Sequence, residues 1–225
     1  MLAESAKTLV PKFFDETGTT YDGVVSYGTL GKDKYWKRKM LEQISDGSSF
    51  LDLACGTGIL TREIAEKFPN SKIVGIDITK SYLEVAKKNS SYFENISFIL
   101  DDAEEFKLDS KFDCITASYL PKYCDPETLV KNCTTHLKPG GKIIFHDFTY
   151  PKNLVVRGLW NLFLTSLRLV GYFIPSWKDA LIGLPKLIRR TKWLESYSDV
   201  MKKNGLNVNR QYLTCGASAI LTGTK

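Results

Sequence analysis

The chain has 225 residues, 43% of them hydrophobic and 25% charged, with a formal net charge of +6. That length and balance fit one α/β domain with an elaboration, large enough to bury a core without metal or disulfide staples. Five cysteines (Cys55, Cys114, Cys124, Cys133 and Cys215) are odd in number and never spaced C-x-x-C, so they read as reduced thiols of a cytosolic protein, and no metal site is expected.

Residues 1–10 lack a basic start followed by an apolar run and are not read as a secretory leader. Residues 1–47 form an N-terminal segment in which Tyr35, Trp36, Met40, Leu41 and Ile44 fall at helical spacing within 32–46. From residue 48 strand and helix alternate. Strands are predicted at 49–53, 72–77, 96–100, 112–117 and 142–148, with helices at 58–68, from a Thr79 cap to about 90, and at 126–137. Tyr82, Leu83 and Ala86 share one helix face, and Lys138-Pro139-Gly140-Gly141 reads as a turn. Residues 151–193 break the rhythm. A helix over 194–204 then stops at Gly205, and strands at 206–213 and 217–223 flank a Thr214-Cys215-Gly216 turn.

Strands alternating with helices of this length imply βαβ units, a parallel sheet and right-handed crossovers. The expected fold is α/β: a Rossmann-like, doubly wound, mostly parallel seven-stranded sheet with an antiparallel C-terminal strand and a helical insertion. A single domain over 1–225 is expected. It comprises a substrate-side lid segment (1–47), a cofactor-binding core (48–150), a hydrophobic basic insertion (151–193) and a C-terminal helix and hairpin (194–225).

Open α/β sheets bind ligands outside the carboxyl ends of their strands. The first strand runs into Asp52-Leu53-Ala54-Cys55-Gly56-Thr57-Gly58, where two glycines allow the backbone to approach a ligand closely. Thr61 stands where a dinucleotide fingerprint has its third glycine, which argues against pyrophosphate cradling. Asp77 ends the second strand, placed to accept both ribose hydroxyls, and Asp101-Asp102-Ala103 follows the third, placed to meet an adenine edge. A lone aspartate after a strand is usually a turn or cap residue. Three strand ends in this order instead suit an adenosyl ligand without phosphate.

These segments, with Val74-Gly75-Ile76-Asp77-Ile78, Phe112-Asp113-Cys114-Ile115-Thr116 and Leu137-Lys138-Pro139-Gly140-Gly141, resemble class I S-adenosylmethionine-dependent methyltransferases. Tyr21-Asp22, Ser26-Tyr27-Gly28, Tyr35-Trp36-Lys37-Arg38 and the tail from Leu213 to Lys225 resemble the ubiquinone/menaquinone biosynthesis C-methyltransferase family. The resemblance implies S-adenosyl-L-methionine as cofactor, S-adenosyl-L-homocysteine as product, and methyl transfer to a ring carbon of a polyprenylated quinol precursor. It adds Ile78 and Ser118 to the cofactor set. That family usually carries Phe-Gly-Leu-Arg-Asn after the fourth strand, whereas here the stretch is Ser118-Tyr119-Leu120-Pro121-Lys122-Tyr123.

A ring carbon becomes nucleophilic only when its hydroxyl loses or shares a proton, so a base is expected. The catalytic candidates are Tyr119, Lys122 and His146, and Tyr21, Tyr27, Tyr119 and Trp160 are the candidate substrate residues. His146 lies inside the fifth strand, where a satisfied core histidine is the alternative, and His136 reads as a surface residue.

Between Lys152 and Lys192 eight basic residues meet one acid, Asp179, a net +7 against about −1 for the rest. Trp160, Phe163, Tyr172, Phe173 and Trp177 lie there among aliphatics, and Arg157 and Arg168 share a helix face. An interfacial amphipathic element at the inner membrane surface fits this pattern, as does a lid over the site, and the two are compatible. The expected partners are a lipophilic small molecule, the membrane periphery and a second copy in a homodimer, with no nucleic acid. The alternatives to a quinone enzyme are a methyltransferase for another lipid or small aromatic molecule, and a cofactor-binding accessory subunit of a quinone-synthesis complex.

Overall fold

The computed structural model describes residues 9–15 and 17–225. Residues 1–8, part of the stretch read as lacking a leader, lie outside that description. Three helices open it: α1 (Leu9–Phe14), α2 (Tyr21–Gly28) and α3 (Lys32–Leu41). The alternating core runs β1 (Ser49–Leu53), α4 (Ile59–Lys67), β2 (Lys72–Asp77), α5 (Lys80–Asn89), β3 (Ile96–Leu100), β4 (Phe112–Ser118), α6 (Pro126–His136) and β5 (Leu137–Phe148). The insertion folds as a hairpin of α7 (Leu154–Gly171) and α8 (Lys178–Arg190), and α9 (Trp193–Lys203), β6 (Asn207–Leu213) and β7 (Ser218–Thr224) close the chain.

The seven strands form one sheet in the order β3-β2-β1-β4-β5-β7-β6. β1 to β5 pair in parallel, and β7 runs antiparallel to both of its neighbours. This is the doubly wound arrangement expected, with β7 as the reversed strand. Four of the five residues of β1 are buried, as a strand covered on both faces requires. Against one face α6 and α9 pack Leu129, Cys133, Leu194 and Tyr197 onto Leu51, Ile115 and Phe145. Against the other, α3, α4, α7 and α8 bring Trp36, Ile64, Leu164 and Ile188 onto Phe50, Ile73 and Ile144.

Several boundaries differ from expectation. α3 stops at Leu41 because Gln43 and Ile44 bond three residues back, tightening the chain out of the helix. Lys138-Pro139-Gly140-Gly141 is not a turn before β5 but an outward bulge within it. The register steps from Phe112↔Leu137 to Cys114↔Lys142, so three extra residues are extruded. Thr79 makes no side-chain cap to α5; the carboxylate of Asp77 takes the Thr79 N–H instead. His136 is buried, its ring against Phe106, with bonds to Leu108 N–H and the Asn132 carbonyl. Gly183 of α8 faces Phe13 of α1 so closely that a Cβ there would lie 2.4 Å from the Phe13 ring.

Candidate functional site

β1 and β4 are neighbours whose onward crossovers lead to opposite sides of the sheet, to β2 and to β5. Their carboxyl ends therefore part, which opens a crevice at the switch in strand order. Here that crevice is a cavity of about 500 Å³ that continues beneath α1, α2 and α8. The backbone is strained at both strand ends: Ala54, after β1, has φ 49° and Tyr119, after β4, has φ 65°. Left-handed non-glycine residues at adjacent strand ends are a feature of functional sites.

One end of the cavity is polar. Gly56, with φ 57°, presents bare backbone, and a Cβ there would meet only the Tyr82 ring at 3.7 Å. Asp77 accepts Gly56 N–H and Thr79 N–H at 2.8 Å each, one on either oxygen. Each carboxylate oxygen keeps further acceptor capacity toward the cavity it lines. Burial holds the Asp77 carboxyl above the usual carboxylate range, and the two backbone bonds oppose that. Ala54, Ile78, Asp102, Ala103 and Ser118 line the same cavity. Cys55, Thr57 and Asp52 border a small adjoining cavity of about 30 Å³. Gly58 faces away, where a Cβ would press on Ala86 and Phe98.

Asp52 is buried between Thr61 and Thr116, whose hydroxyls donate to its two oxygens at 2.7 and 2.8 Å. Burial pushes its carboxyl up to about 6, against those two hydrogen bonds. Thr61, the residue in place of a third glycine, thus anchors the loop from below.

The other end is apolar, bounded by Val10, Phe14, Leu167, Trp177, Leu181 and Leu184. Between the two ends lie aromatic hydroxyls and buried charge. The Tyr119 hydroxyl donates to Asp33 Oδ1 at 2.8 Å, and Lys37 pairs with the same carboxylate. Lys122 Nζ donates to Asp147 at 3.0 and 3.2 Å and to the Tyr119 carbonyl. Burial lowers Lys122 and raises Asp147, and their mutual attraction opposes both shifts. The Lys122 ammonium lies 4.4 Å from the centre of the Tyr123 ring.

Of the sequence candidates, Tyr21, Tyr119 and Lys122 line the cavity. His146 does not. It is fully buried, its Nδ1 and Nε2 bonded to Ser118 and Ser218 hydroxyls at 2.9 and 2.6 Å, and burial lowers its pKa well below the usual range. With both nitrogens engaged and the ring packed on Trp36 and Tyr119, it is a core histidine. Tyr27 is 87% exposed and outside the cavity, because it sits on the solvent side of α2. Trp160 packs on Phe148 and Phe163 behind the wall. Sequence reasoning missed Phe14, Tyr82, Tyr123 and Trp177, all cavity-lining. Tyr123 is the most telling. Its hydroxyl is buried and has no hydrogen-bond partner among the described residues.

The methyltransferase domain family matches residues 44–166. The chain belongs to that family. This methyltransferase is 29% identical to the ubiquinone/menaquinone biosynthesis C-methyltransferase UbiE of Hahella chejuensis, over 96% of this chain and 91% of the relative. It is 30% identical to the malonyl-[acyl-carrier protein] O-methyltransferase of Halalkalibacterium halodurans, over 86% and 78%. Among solved structures, the pyocyanin biosynthetic protein PhzM superposes with a TM-score of 0.67 at 18% identity, over 95% of this chain and 62% of that one. The enzyme is an S-adenosylmethionine-dependent methyltransferase. The cavity suits that cofactor, with bare backbone at Gly56, an acceptor carboxylate at Asp77 and no phosphate-cradling third glycine.

Proposed function

We propose that this methyltransferase C-methylates the aromatic head of a polyprenylated quinol precursor, a benzoquinol or naphthoquinol, at the cytoplasmic face of the membrane. The observation that carries the reading is the two-ended cavity, which joins strand-end cofactor residues to an apolar channel between α1, α2 and α8. The UbiE relative supports the same class of acceptor.

S-adenosylmethionine supplies a methyl group made electrophilic by its sulfonium sulfur. Asp77 takes the ribose hydroxyls, Asp102 and Ala103 the adenine edge, and Ala54, Gly56, Ile78 and Ser118 the remaining surface. Tyr21, Tyr119 and Tyr123 hold the acceptor ring, and Phe14, Trp177 and Leu181 take the first part of its tail. Fixing the ring carbon in line supplies much of the rate. The phenolic proton must be shared as the carbon attacks. Tyr119 is assigned to receive it while passing its own hydroxyl proton to the Asp33 carboxylate, to which it already donates.

A second reading is methylation of another lipid or small aromatic molecule. The stretch 118–123, which departs from the quinone family, and the O-methyltransferase relative favour it. Purified enzyme with methyl-labelled cofactor, offered demethyl-quinols and a total lipid extract, separates the two. Label in the quinone fraction supports the first reading; label only in other lipids overturns it in favour of the second.

A further inference from the structure

We infer that the outer face of α7 is a lipid-contacting surface that seats the enzyme on an anionic bilayer with its cavity roof against the membrane. The inference rests on the proposed lipid acceptor only for what the seating delivers; the surface itself stands on the following observations.

α7 exposes nine of its eighteen residues: Leu154, Val155, Gly158, Leu159, Leu162, Thr165, Ser166, Leu169 and Val170. At about 100° per residue these fall on one continuous arc of roughly 160°. Six are large and apolar, at 45–72% exposure, and none is charged. The two hydroxyls are already satisfied within the helix, Thr165 by the Asn161 carbonyl at 2.8 Å and Ser166 by the Phe163 carbonyl at 2.7 Å. An apolar medium imposes that condition on polar groups, and water does not. Tyr172 and Phe173, 60% and 86% exposed, extend the face past the helix end.

One long edge of the arc is basic, and the other carries Val156, Phe163 and Leu167. Arg157 and Arg168, eleven residues apart, lie on one line along the basic edge. Between them Arg189 of α8 reaches Asn161 at 3.2 Å. Lys152 stands before the helix, and Lys178 lies over the Tyr172 ring at 5.8 Å beyond its end. An uncharged apolar strip with cations along one edge and at both ends matches a headgroup layer of anionic lipid over acyl chains. It does not match a spanning helix, although the mean hydropathy of 1.2 and eighteen-residue length would admit one. The opposite side of α7 is committed to the protein: Leu164 is in the core, with Trp160, Phe163 and Leu167 packed against it. Leu167 also lines the cavity, so the acceptor channel lies one helix thickness from the lipid. Of the aromatic residues of this segment, Trp160, Phe163 and Trp177 face inward, as in a lid, while Tyr172 and Phe173 are exposed with the leucines and valines.

Full-length protein is floated with phosphatidylcholine vesicles containing phosphatidylglycerol, and with phosphatidylcholine alone, at low and high salt. The expected result is flotation with the anionic vesicles, weakened by salt. The exposed-site double variant Leu159→Glu/Leu162→Glu is expected to partition at least about tenfold less per leucine while binding S-adenosylmethionine with unchanged affinity by calorimetry. Equal flotation of wild type and variant overturns the assignment to α7. Failure of wild type to float, with a dimer by sedimentation that the variant abolishes, overturns it in favour of a self-association face. Flotation that depends on α7 without methylation of any quinol sinks the quinone reading and leaves this one standing.

Discussion

Thr57, in the glycine loop after β1, donates its hydroxyl to a carboxylate oxygen of Asp22 on α2. One side-chain bond thus ties the glycine loop to a helix that lines the cavity. A hydrogen bond to a charged group contributes about 1.5–3 kcal/mol, and the partly exposed position of Asp22 places this one at the low end. Asp22→Ala is expected to raise KM for both substrates about tenfold, with Asp22→Asn much milder. Steady-state kinetics with both substrates varied will check this; a change in one KM alone would mean the two are not coupled here.

The unpartnered hydroxyl of Tyr123 predicts effects of opposite sign. A buried polar group without a partner costs about 1–3 kcal/mol. Tyr123→Phe should therefore make the free protein more resistant to urea. If that hydroxyl binds the acceptor, the same variant raises acceptor KM about tenfold and leaves cofactor affinity unchanged. Greater stability with an unaltered KM would show that the hydroxyl has no role in acceptor binding.

Asp52 makes stability depend on pH. Its carboxyl is held near 6 in the folded protein against an ordinary value of 3.8. A raised carboxylate contributes stability that is complete below about 3.8 and is lost as pH rises through about 6. Relative to Asp52→Asn, the wild type is expected to lose about 2 kcal/mol between pH 4 and 7. Urea denaturation of both proteins across that range measures the difference, and parallel pH profiles would contradict it.

Gly183 sets the fit between α1 and α8. Adding a methyl group 2.4 Å from the Phe13 ring forces the two helices apart, an overpacking cost of about 1–3 kcal/mol. Because Phe14 of the same short helix lines the channel, Gly183→Ala is expected to raise acceptor KM more than cofactor KM. Phe13→Leu in the same chain should restore both stability and KM; failure of that rescue would place the strain elsewhere.

The alternating core was legible in the sequence because parallel strands buried on both faces leave unbroken apolar runs, and Asp77 and Asp102 mark where those runs stop. α2 was not legible. Its sequence Tyr-Asp-Gly-Val-Val-Ser-Tyr-Gly carries two glycines, and Thr20 makes no side-chain cap, so tertiary packing is what holds it. Tyr123 could not be placed from local pattern, since its enclosure depends on Phe14, whose ring stands 6.3 Å away from the far end of the chain. α7 has apolar residues around most of its circumference, which concealed which side faces the core. The aromatic residues suited a lid and a membrane face alike, and Trp160 and Phe163 pack inward. His146 was ambiguous for a similar reason. Position within β5 brings it near the site, and only the hydroxyls of Ser118 and Ser218 show that its nitrogens are already engaged.

The left-handed backbone at Ala54 and Tyr119 limits what any descendant of this sequence can place there. A β-branched side chain is disfavoured at such angles, which Thr214 alone of that kind adopts among the described residues, so valine, isoleucine and threonine are costly at both positions, while glycine and asparagine are admitted. The shape of the cavity can therefore drift through Tyr21, Tyr123 and its apolar walls far more freely than through the two strand ends that set the crevice.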